Sequence, residues 1–219
     1  MSGCKLSVQS ILSIMPLDGK TWLACDRGTT TNLNCQSWNS TAQSPYRLYR
    51  FLSELDDILN RVSDDVRRLQ LIVPLVRRLL DESPWLQLNY DLPDSDSGWS
   101  VLMLYDEPEY PLTVQMVAWA PGQLSPIHNH ATWGIVALLE GEEKNTLWQR
   151  KGDSNTGDNI EITGDRILKP GDIMAFLPDT IHCVQALGQV PTVSFNLYGE
   201  TDYNRRFIFD PNTHQATPF

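Results

Sequence analysis

Residues Gly122 to Gly141 read Gly-Gln-Leu-Ser-Pro-Ile-His-Asn-His-Ala-Thr-Trp-Gly-Ile-Val-Ala-Leu-Leu-Glu-Gly. Two histidines, His128 and His130, stand two residues apart between a Pro- and Gly-rich approach and an apolar run. Side chains alternate between the two faces of a β-strand, so a strand through this stretch would point both imidazoles to one face. This placement is typical of a pair of metal ligands.

A third histidine, His182, ends a second stretch in which a turn signal precedes an apolar run, Pro-Gly-Asp-Ile-Met-Ala-Phe-Leu-Pro-Asp-Thr-Ile-His. Two strands that enter a small barrel from opposite ends could bring three neutral imidazole nitrogens to one ion. The sequence therefore predicts a metal site on His128, His130 and His182.

The chain after Ser83 and Pro84 favours β-structure. Apolar segments are separated by Pro, Gly, Asn or Asp clusters at the spacing of a sandwich or barrel. The predicted strands are Val101–Tyr105, Leu112–Trp119, Ile127–Leu139, Thr146–Arg150, Ile160–Thr163, Asp172–Leu177, His182–Ala186 and Val193–Leu197. The longest hairpin loop among them, residues 151–159, is expected to be exposed and mobile.

The chain before the β-region divides into two parts. Residues 45–83 have apolar residues at three- and four-residue steps, which predicts two amphipathic helices, the second one kinked or restarted at Pro74. Residues 1–44 are rich in Ser, Thr and Asn, and the tract Thr29–Asn32 argues against a regular element. We expect a loosely structured N-terminal arm over 1–44, and a helical segment over 45–83 that packs on a barrel formed by 84–219.

Composition narrows the function classes. The 17 basic and 27 acidic residues give a net charge of −10 without a basic stripe, which argues against nucleic-acid binding. No apolar run reaches the ~18 residues of a membrane span, and the N-terminus lacks the features of a signal peptide. The four cysteines predict no disulfide framework. These observations predict a cytoplasmic protein without a membrane partner, either a monomer or a small homo-oligomer.

The segment Thr192–Tyr198 separates polar from apolar side chains. Ser194, Asn196 and Tyr198 share one face of the predicted strand, and the residues between them are apolar. On this pattern alone the polar face could look at water or at the lumen of a barrel.

At these residues the sequence resembles the cupin superfamily. Gly122, His128, His130 and Gly141 follow the first cupin motif, and the stretch that ends at His182 looks like a looser form of the second. The resemblance covers the chain from Leu86 to the C-terminus. It implies a mainly β fold, a cupin double-stranded β-helix or jelly-roll barrel, here with N-terminal α-helices.

Within the cupins, three segments look like the cysteine and 3-mercaptopropionate dioxygenases, which are thiol dioxygenases. These segments are Trp119–Gln123, the run His128–Gly134 and Ser194–Tyr198. The resemblance implies a mononuclear Fe(II) site and a reaction in which a small thiol and O2 give a sulfinate. Imidazole ligands also suit Zn, Ni and Cu, so these metals stay open.

The resemblance also implies roles for the polar residues of the last predicted strand. Tyr198 would be the active-site phenol, and Ser194 would orient its neighbour. Asn196 stands where the family has a histidine, and an amide cannot titrate near neutral pH. Gly134 stands where cupins usually have a glutamate ligand, so it either leaves a coordination position open or serves close backbone packing.

The predicted substrate pocket departs from the family. Val101 aligns with the Arg or Gln that binds a substrate carboxylate, and no Arg, Lys or Gln lies between Gly98 and Pro111. The sequence therefore predicts a thiol without a carboxylate near its sulfur, a substrate bound through the helical arm, or a substrate that is not a thiol. An arginine of the segment 204–207 is a further candidate for an anion contact. Trp99 and Trp119 could form an aromatic wall or belong to the core.

Two other classes of function stay open. Val101 and Asn196 favour a non-catalytic, metal-dependent cupin that binds or senses a small molecule, whereas Tyr198 and Gly134 favour the enzyme. A cupin enzyme without O2 chemistry is the third possibility.

Overall fold

The computed structural model describes residues 18–36, 45–108, 110–151 and 159–219. Two α-helices, α1 (Leu48–Arg61) and α2 (Asp65–Glu82), and a short 3-10 helix (Pro84–Leu88) precede most of the strands. The strands are β1 (Thr21–Ala24), β2 (Thr30–Asn32), β3 (Trp99–Glu107), β4 (Tyr110–Trp119), β5 (Ile127–His128), β6 (Gly134–Glu140), β7 (Glu142–Arg150), β8 (Ile160–Leu168), β9 (Ile173–Phe176), β10 (Ile181–Leu187), β11 (Thr192–Tyr198), β12 (Phe207–Asp210) and β13 (Gln215–Pro218).

The strands form two sheets between which the chain repeatedly crosses. The seven-stranded sheet has the order β2-β1-β9-β6-β11-β4-β3, and the six-stranded sheet has the order β13-β12-β5-β10-β7-β8. From β4 to β7 each successive strand lies in the other sheet, and the same holds from β8 to β11. Successive crossings of antiparallel strands between two facing sheets make a jelly-roll barrel. The predicted fold class, a mainly β double-stranded β-helix with N-terminal helices, is confirmed.

The helices cover the outer face of the seven-stranded sheet. Their buried apolar residues form one core cluster with side chains of β4, β6, β9 and β11. Phe51 of α1 meets Phe195 of β11 edge to face, with ring centroids 6.5 Å apart. Since Val193, Phe195 and Leu197 face the helices, the alternate side chains of β11 point into the barrel.

Helix α2 does not restart at Pro74, which was one of the two predicted effects of this proline. The helix runs from Asp65 to Glu82 with the proline inside it, and it is capped by the side chain of Asp64, which accepts from the backbone N–H of Arg67 at 2.8 Å. Val73 and Val76 beside the proline are fully buried. Packing of this apolar face outweighs the roughly 3 kcal/mol cost of an interior proline. Among the described residues, no helix has both the length and the apolar character to cross a membrane.

The described part of the N-terminal arm is more regular than its composition indicates. Strand β1 joins the seven-stranded sheet beside β9, in parallel, and β2 pairs with β1. The Arg77 guanidinium donates hydrogen bonds to the carbonyls of Gly19 and Gly171 at 2.7 and 3.0 Å. The expectation of no regular element at Thr29–Asn32 was wrong, because β2 pairs with β1, and β1 is in turn held by β9, a strand distant in sequence. Residues 1–17 and 37–44, and nearly all of the loop predicted to be mobile, lie outside the described residues.

The predicted strand Ile127–Leu139 is two strands. β5 belongs to the six-stranded sheet and β6 to the seven-stranded one, and Ala131 between them has a φ of 53°. A residue with this φ cannot continue an extended strand. The chain therefore changes sheets directly after the histidine pair. The sequence pattern also missed β12 and β13, which extend the six-stranded sheet beside β5.

Candidate metal centre

The structure brings the three predicted histidines together. His128 of β5 lies directly opposite His182 of β10, and His130 reaches them from the connection that follows β5. One ring nitrogen of each histidine lies within 4.8 Å of the others, and the Nε2 atoms of His130 and His182 are 2.9 Å apart. This group could hold one metal ion.

His130 is not on the same strand as His128, contrary to the prediction. Its position depends instead on the contacts of its two neighbours. The Asn129 side chain donates to the carbonyl of Arg205 and accepts from the N–H of Phe207, both at 2.8 Å, and the N–H of Ala131 donates to the carbonyl of Pro178 at 3.0 Å. These bonds tie the connection to the six-stranded sheet and to the turn before β10. His130 thus reaches His128 because hydrogen bonds anchor the connection after β5, and not because the two histidines share a strand.

Hydrogen bonds fix the tautomers of two imidazoles. His128 Nδ1 lies 2.9 Å from the carbonyl oxygen of Pro126, and His182 Nδ1 lies 2.9 Å from Oδ1 of Asn145. Both oxygens can only accept, so each Nδ1 carries the proton and each Nε2 has a free lone pair. Metal-binding histidines generally have such a partner on the second nitrogen. Asn145 is held in turn, since its Nδ2 donates to Oε1 of Glu143 at 2.9 Å.

The histidines are held in the form that binds a metal. Burial lowers the pKa of His128 to about 4. Burial, together with the neighbouring imidazoles, also lowers the pKa values of His130 and His182 well below the ordinary value. All three rings are therefore neutral at physiological pH. A donor set of three neutral imidazoles fits Fe, Zn, Ni or Cu.

The three histidines line a cavity of about 470 Å³ between the two sheets. The predicted residues Ser194, Asn196 and Tyr198 line the same cavity, as do Trp99, Val101 and Trp119. The polar face of β11 therefore looks at the lumen, which decides between the two interpretations of its sequence pattern.

The polar residues of β11 form a chain of hydrogen bonds beside the histidines. The Tyr198 hydroxyl donates to Oδ1 of Asn196 at 3.0 Å, and Nδ2 of Asn196 donates to Oγ of Ser194 at 2.9 Å. The Tyr198 ring stacks on His130, with centroids 4.6 Å apart and planes 24° apart. Burial raises the pKa of Tyr198, so it remains a protonated phenol at physiological pH.

Gly134 is not among the residues that line the cavity. It pairs with Tyr198 across β6 and β11, and a Cβ at this position would lie 2.8 and 2.9 Å from Cδ1 and Cε1 of the Tyr198 ring. The structure favours the interpretation as close packing: the absent side chain makes room for the tyrosine that stacks on His130.

The two predicted aromatic residues form a wall at the cavity mouth and do not belong to the core. The rings of Trp99 and Trp119 stack with centroids 5.9 Å apart, across the β3–β4 pair. Trp99 is 43% exposed. Phe219 also lines the cavity, and its ring lies 5.6 Å from the His128 ring, centroid to centroid.

Sequence reasoning missed Glu143, Asn145 and Gln115, whereas Arg206 belongs to the segment 204–207 that was a candidate for an anion contact. Glu143 and Asn145 lie before Thr146, where their strand was predicted to start. Both are buried, and they alternate along β7 with the more exposed Glu142 and Lys144. Gln115 lines the cavity and is the single amide within the apolar run of β4, a signal that was present in the sequence. Arg206 also lines the cavity, with its guanidinium 4.2 Å from the centroid of the Phe219 ring.

Fold and site together define a class of protein, a jelly-roll barrel with a buried three-histidine group that could hold one metal ion. No protein-family model matches the chain. An oxalate oxidase in complex with the substrate analogue glycolate is similar in structure, with a TM-score of 0.41 and 18% identity over 52% of this chain and 56% of that one. The match therefore covers little more than half of the oxalate oxidase.

Two further solved structures are similar to parts of the chain. A cupin superfamily protein from Desulfitobacterium hafniense matches with a TM-score of 0.38 and 11% identity, over 49% of this chain and 82% of that one. A DMSP lyase from Ruegeria pomeroyi matches with a TM-score of 0.35 and 20% identity, over 46% of each chain. The fold assignment rests on the strand pairing of this chain.

Proposed function

We propose that the protein is a mononuclear non-heme iron dioxygenase that oxidises a small thiol to a sulfinate. The reaction is R–SH + O2 → R–SO2⁻ + H⁺. The observation that carries the proposal is the stacking of the Tyr198 phenol on His130, inside a cavity where three neutral imidazoles converge. A metal group, a phenol and a ligand-sized cavity occur together, as an oxidation site requires.

His128, His130 and His182 would hold iron(II), which would supply the redox chemistry, and as neutral ligands they would leave the ion its full charge. The protein residues hold and orient the reactants. The Asn196 amide oxygen accepts the proton of the Tyr198 hydroxyl and fixes this hydroxyl at the ligand end of the cavity, where its oxygen can accept a hydrogen bond from the substrate. Val117, Val136 and Val184 give the cavity apolar walls that limit the access of water.

The cavity changes the expectation for the substrate. Val101 lines it without a polar group, as predicted, but Gln115 and Arg206 also line it. Among the described residues, Nε of the Arg206 guanidinium is buried without a hydrogen-bond partner. The sequence left a carboxylate contact to an arginine of the segment 204–207, and Arg206 lies in the cavity. Thiols with and without a carboxylate are therefore candidates.

A second candidate function is a non-catalytic, metal-dependent cupin that binds or senses a small molecule. Asn196 favours it, since both ends of its amide are used in bonds to Ser194 and Tyr198, and no titratable group stands at that position. A cupin enzyme without O2 chemistry is compatible with the same ligand set, because imidazole also suits Zn. The cytoplasmic location, the absence of nucleic-acid partners and a monomeric or small homo-oligomeric state stay predictions from the sequence.

Oxygen uptake tests the proposal. Protein loaded anaerobically with Fe(II) is mixed with a panel of small thiols with and without carboxylates, and sulfinate is quantified beside the oxygen consumed. We expect equal amounts of both, and loss of both in His130→Ala. His214→Asn is the matched control, because His214 is exposed and its φ of 56° is one that asparagine tolerates. Stoichiometric iron without oxygen uptake for any thiol would contradict the proposal and favour the binder.

A further inference from the structure

Glu143 is the one carboxylate among the described residues that line the cavity. It lies on β7, on the face that points between the sheets, and is only 2% exposed. The described residues give its carboxylate a single hydrogen bond, from the neutral amide of Asn145 at 2.9 Å. No cation lies within salt-bridge distance of it in the described part of the chain.

A buried carboxylate without a cation is costly when it is ionised, because the interior solvates its charge poorly. Burial raises the pKa of Glu143 to about 7, and the hydrogen bond from Asn145 offsets only part of this effect. The group therefore exchanges a proton near physiological pH, inside the cavity that would hold the thiol. Efficient general bases have pKa values in this range.

The three histidines, Tyr198 and Arg206, which also line the cavity, cannot take the proton of a thiol. His128 and His182 carry their protons on Nδ1 and direct Nε2 at the candidate ion, and His130 belongs to the same group. Burial raises the pKa of Tyr198, so the phenol keeps its own proton and does not accept another, and the guanidinium of Arg206 has only donors.

Asn196 leaves the acceptor role open on β11. It occupies the position at which the resembled family has a titratable histidine, and an amide does not accept a proton in this pH range. Glu143 stands on the facing sheet and is joined to the metal group through Asn145 and His182. The cavity thus has a titratable group on β7, on the wall opposite β11, where the resembled family has its histidine.

We propose that Glu143 is the general base that accepts the proton of the substrate thiol, an inference that rests on the proposed function. The S–H bond breaks, the proton goes to a carboxylate oxygen of Glu143 directly or through one water molecule, and the electron pair stays on sulfur. A thiolate and a carboxylic acid thus replace a thiol and a carboxylate, and no other reactant is needed. The low dielectric of the cavity opposes a buried carboxylate without a cation, and a metal ion held by the three histidines would stabilise the thiolate that replaces it.

Counting the protons released on thiol binding tests the proposal. The probe is 2-mercaptoethanol, whose thiol is its only titratable group, added anaerobically to the Fe(II)-loaded protein slightly above neutral pH. Calorimetry in two buffers of different ionisation enthalpy gives the number of protons released per thiol bound. We expect well under one for the wild type, because Glu143 keeps the proton, and one for Glu143→Gln, which preserves the acceptor for Asn145. Glu142→Gln, an exposed neighbour on the same strand, should behave as the wild type.

The wild type alone provides a second readout. As the pH falls below about 7, Glu143 is already protonated before the thiol binds, so proton release should rise towards one. Release of one proton per thiol by wild type and Glu143→Gln alike, at every pH, would overturn the role of Glu143 and leave the proposed function standing. Absence of thiol binding to the metal-loaded protein would overturn both.

Discussion

The two faces of the seven-stranded sheet differ in what they contain, although the same strands supply both. On the outer face, Phe195 and its apolar neighbours pack against α1 and α2 in a fully buried core. On the inner face, Ser194 and Asn196 are buried and Tyr198 is half-buried, and all three line a cavity. Burial of apolar groups stabilises a fold, whereas burial of polar groups costs free energy unless they are hydrogen-bonded. The outer face therefore provides stability, and the inner face lines a site to which the six-stranded sheet contributes His128 and His182.

The largest expected effect lies on the outer face. Phe51→Ala removes the ring that meets Phe195 in the helix–sheet core and should lower the free energy of unfolding by about 3–5 kcal/mol. Tyr49→Ala, an exposed residue on the same helix, should change it by less than about 0.5 kcal/mol. Urea denaturation measures both. If the two faces act independently, the folded Phe51→Ala protein should bind metal with the wild-type affinity. A large loss of metal affinity would show that the two faces are coupled.

The next effect depends on pH and lies on the inner surface of the barrel. The pKa of Glu143 is raised from the ordinary 4.5 to about 7, which corresponds to about 3 kcal/mol. In the metal-free protein this stability is fully present below pH 4.5 and is lost as the pH rises through about 7, because the buried carboxyl must ionise. Glu143→Gln should remove this dependence and be the more stable protein above pH 7. Denaturation curves across this pH range measure it, and parallel pH profiles of the two proteins would contradict the burial argument.

A smaller effect concerns the residue that orients a metal ligand. Asn145→Ala removes the acceptor for Nδ1 of His182 and should lower metal affinity 10- to 100-fold, about 1.4–2.7 kcal/mol. Thr146→Ala, the next residue on β7, points to the other face of the strand and should leave affinity unchanged. Competition with a chromophoric chelator gives the affinities. Equal affinities of the two variants would show that the orientation of His182 does not depend on Asn145.

The smallest expected effect on stability concerns the hydroxyl group of Tyr198, which can be removed while the ring stays in place. Tyr198→Phe keeps the ring on His130 and removes one hydrogen bond to Asn196, which should cost about 1 kcal/mol of stability. Metal affinity should stay constant while oxygen uptake with the best thiol falls, since the phenol hydroxyl is lost. Tyr49→Phe, on the exposed surface of α1, is the control. Unchanged uptake in Tyr198→Phe would limit the tyrosine to packing.

Local periodicity predicted the parts of the molecule that depend on neighbouring residues. The alternation of β11 assigned its polar and apolar faces, and the helical period located α1 and α2. The three histidines could be selected because their spacing and turn signals are short-range features. What failed depends on residues distant in sequence: β1 forms because β9 offers an edge, and His130 leaves its strand because Arg205 and Phe207 anchor Asn129. Glu143 was missed for the same reason, since its place in the cavity follows from the pairing of β7 with β10.

The central claim is that the cavity between the two sheets is the active site of a thiol dioxygenase. Incorporation of isotopically labelled dioxygen into the product tests this claim most directly. The Fe(II)-loaded protein is given the best thiol of the panel under labelled O2 in ordinary water, and the product is analysed by mass spectrometry. We predict a sulfinate with both oxygen atoms labelled, and no labelled product from His130→Ala. A product without label, a disulfide in place of the sulfinate, or the same labelled product from His130→Ala would contradict the account.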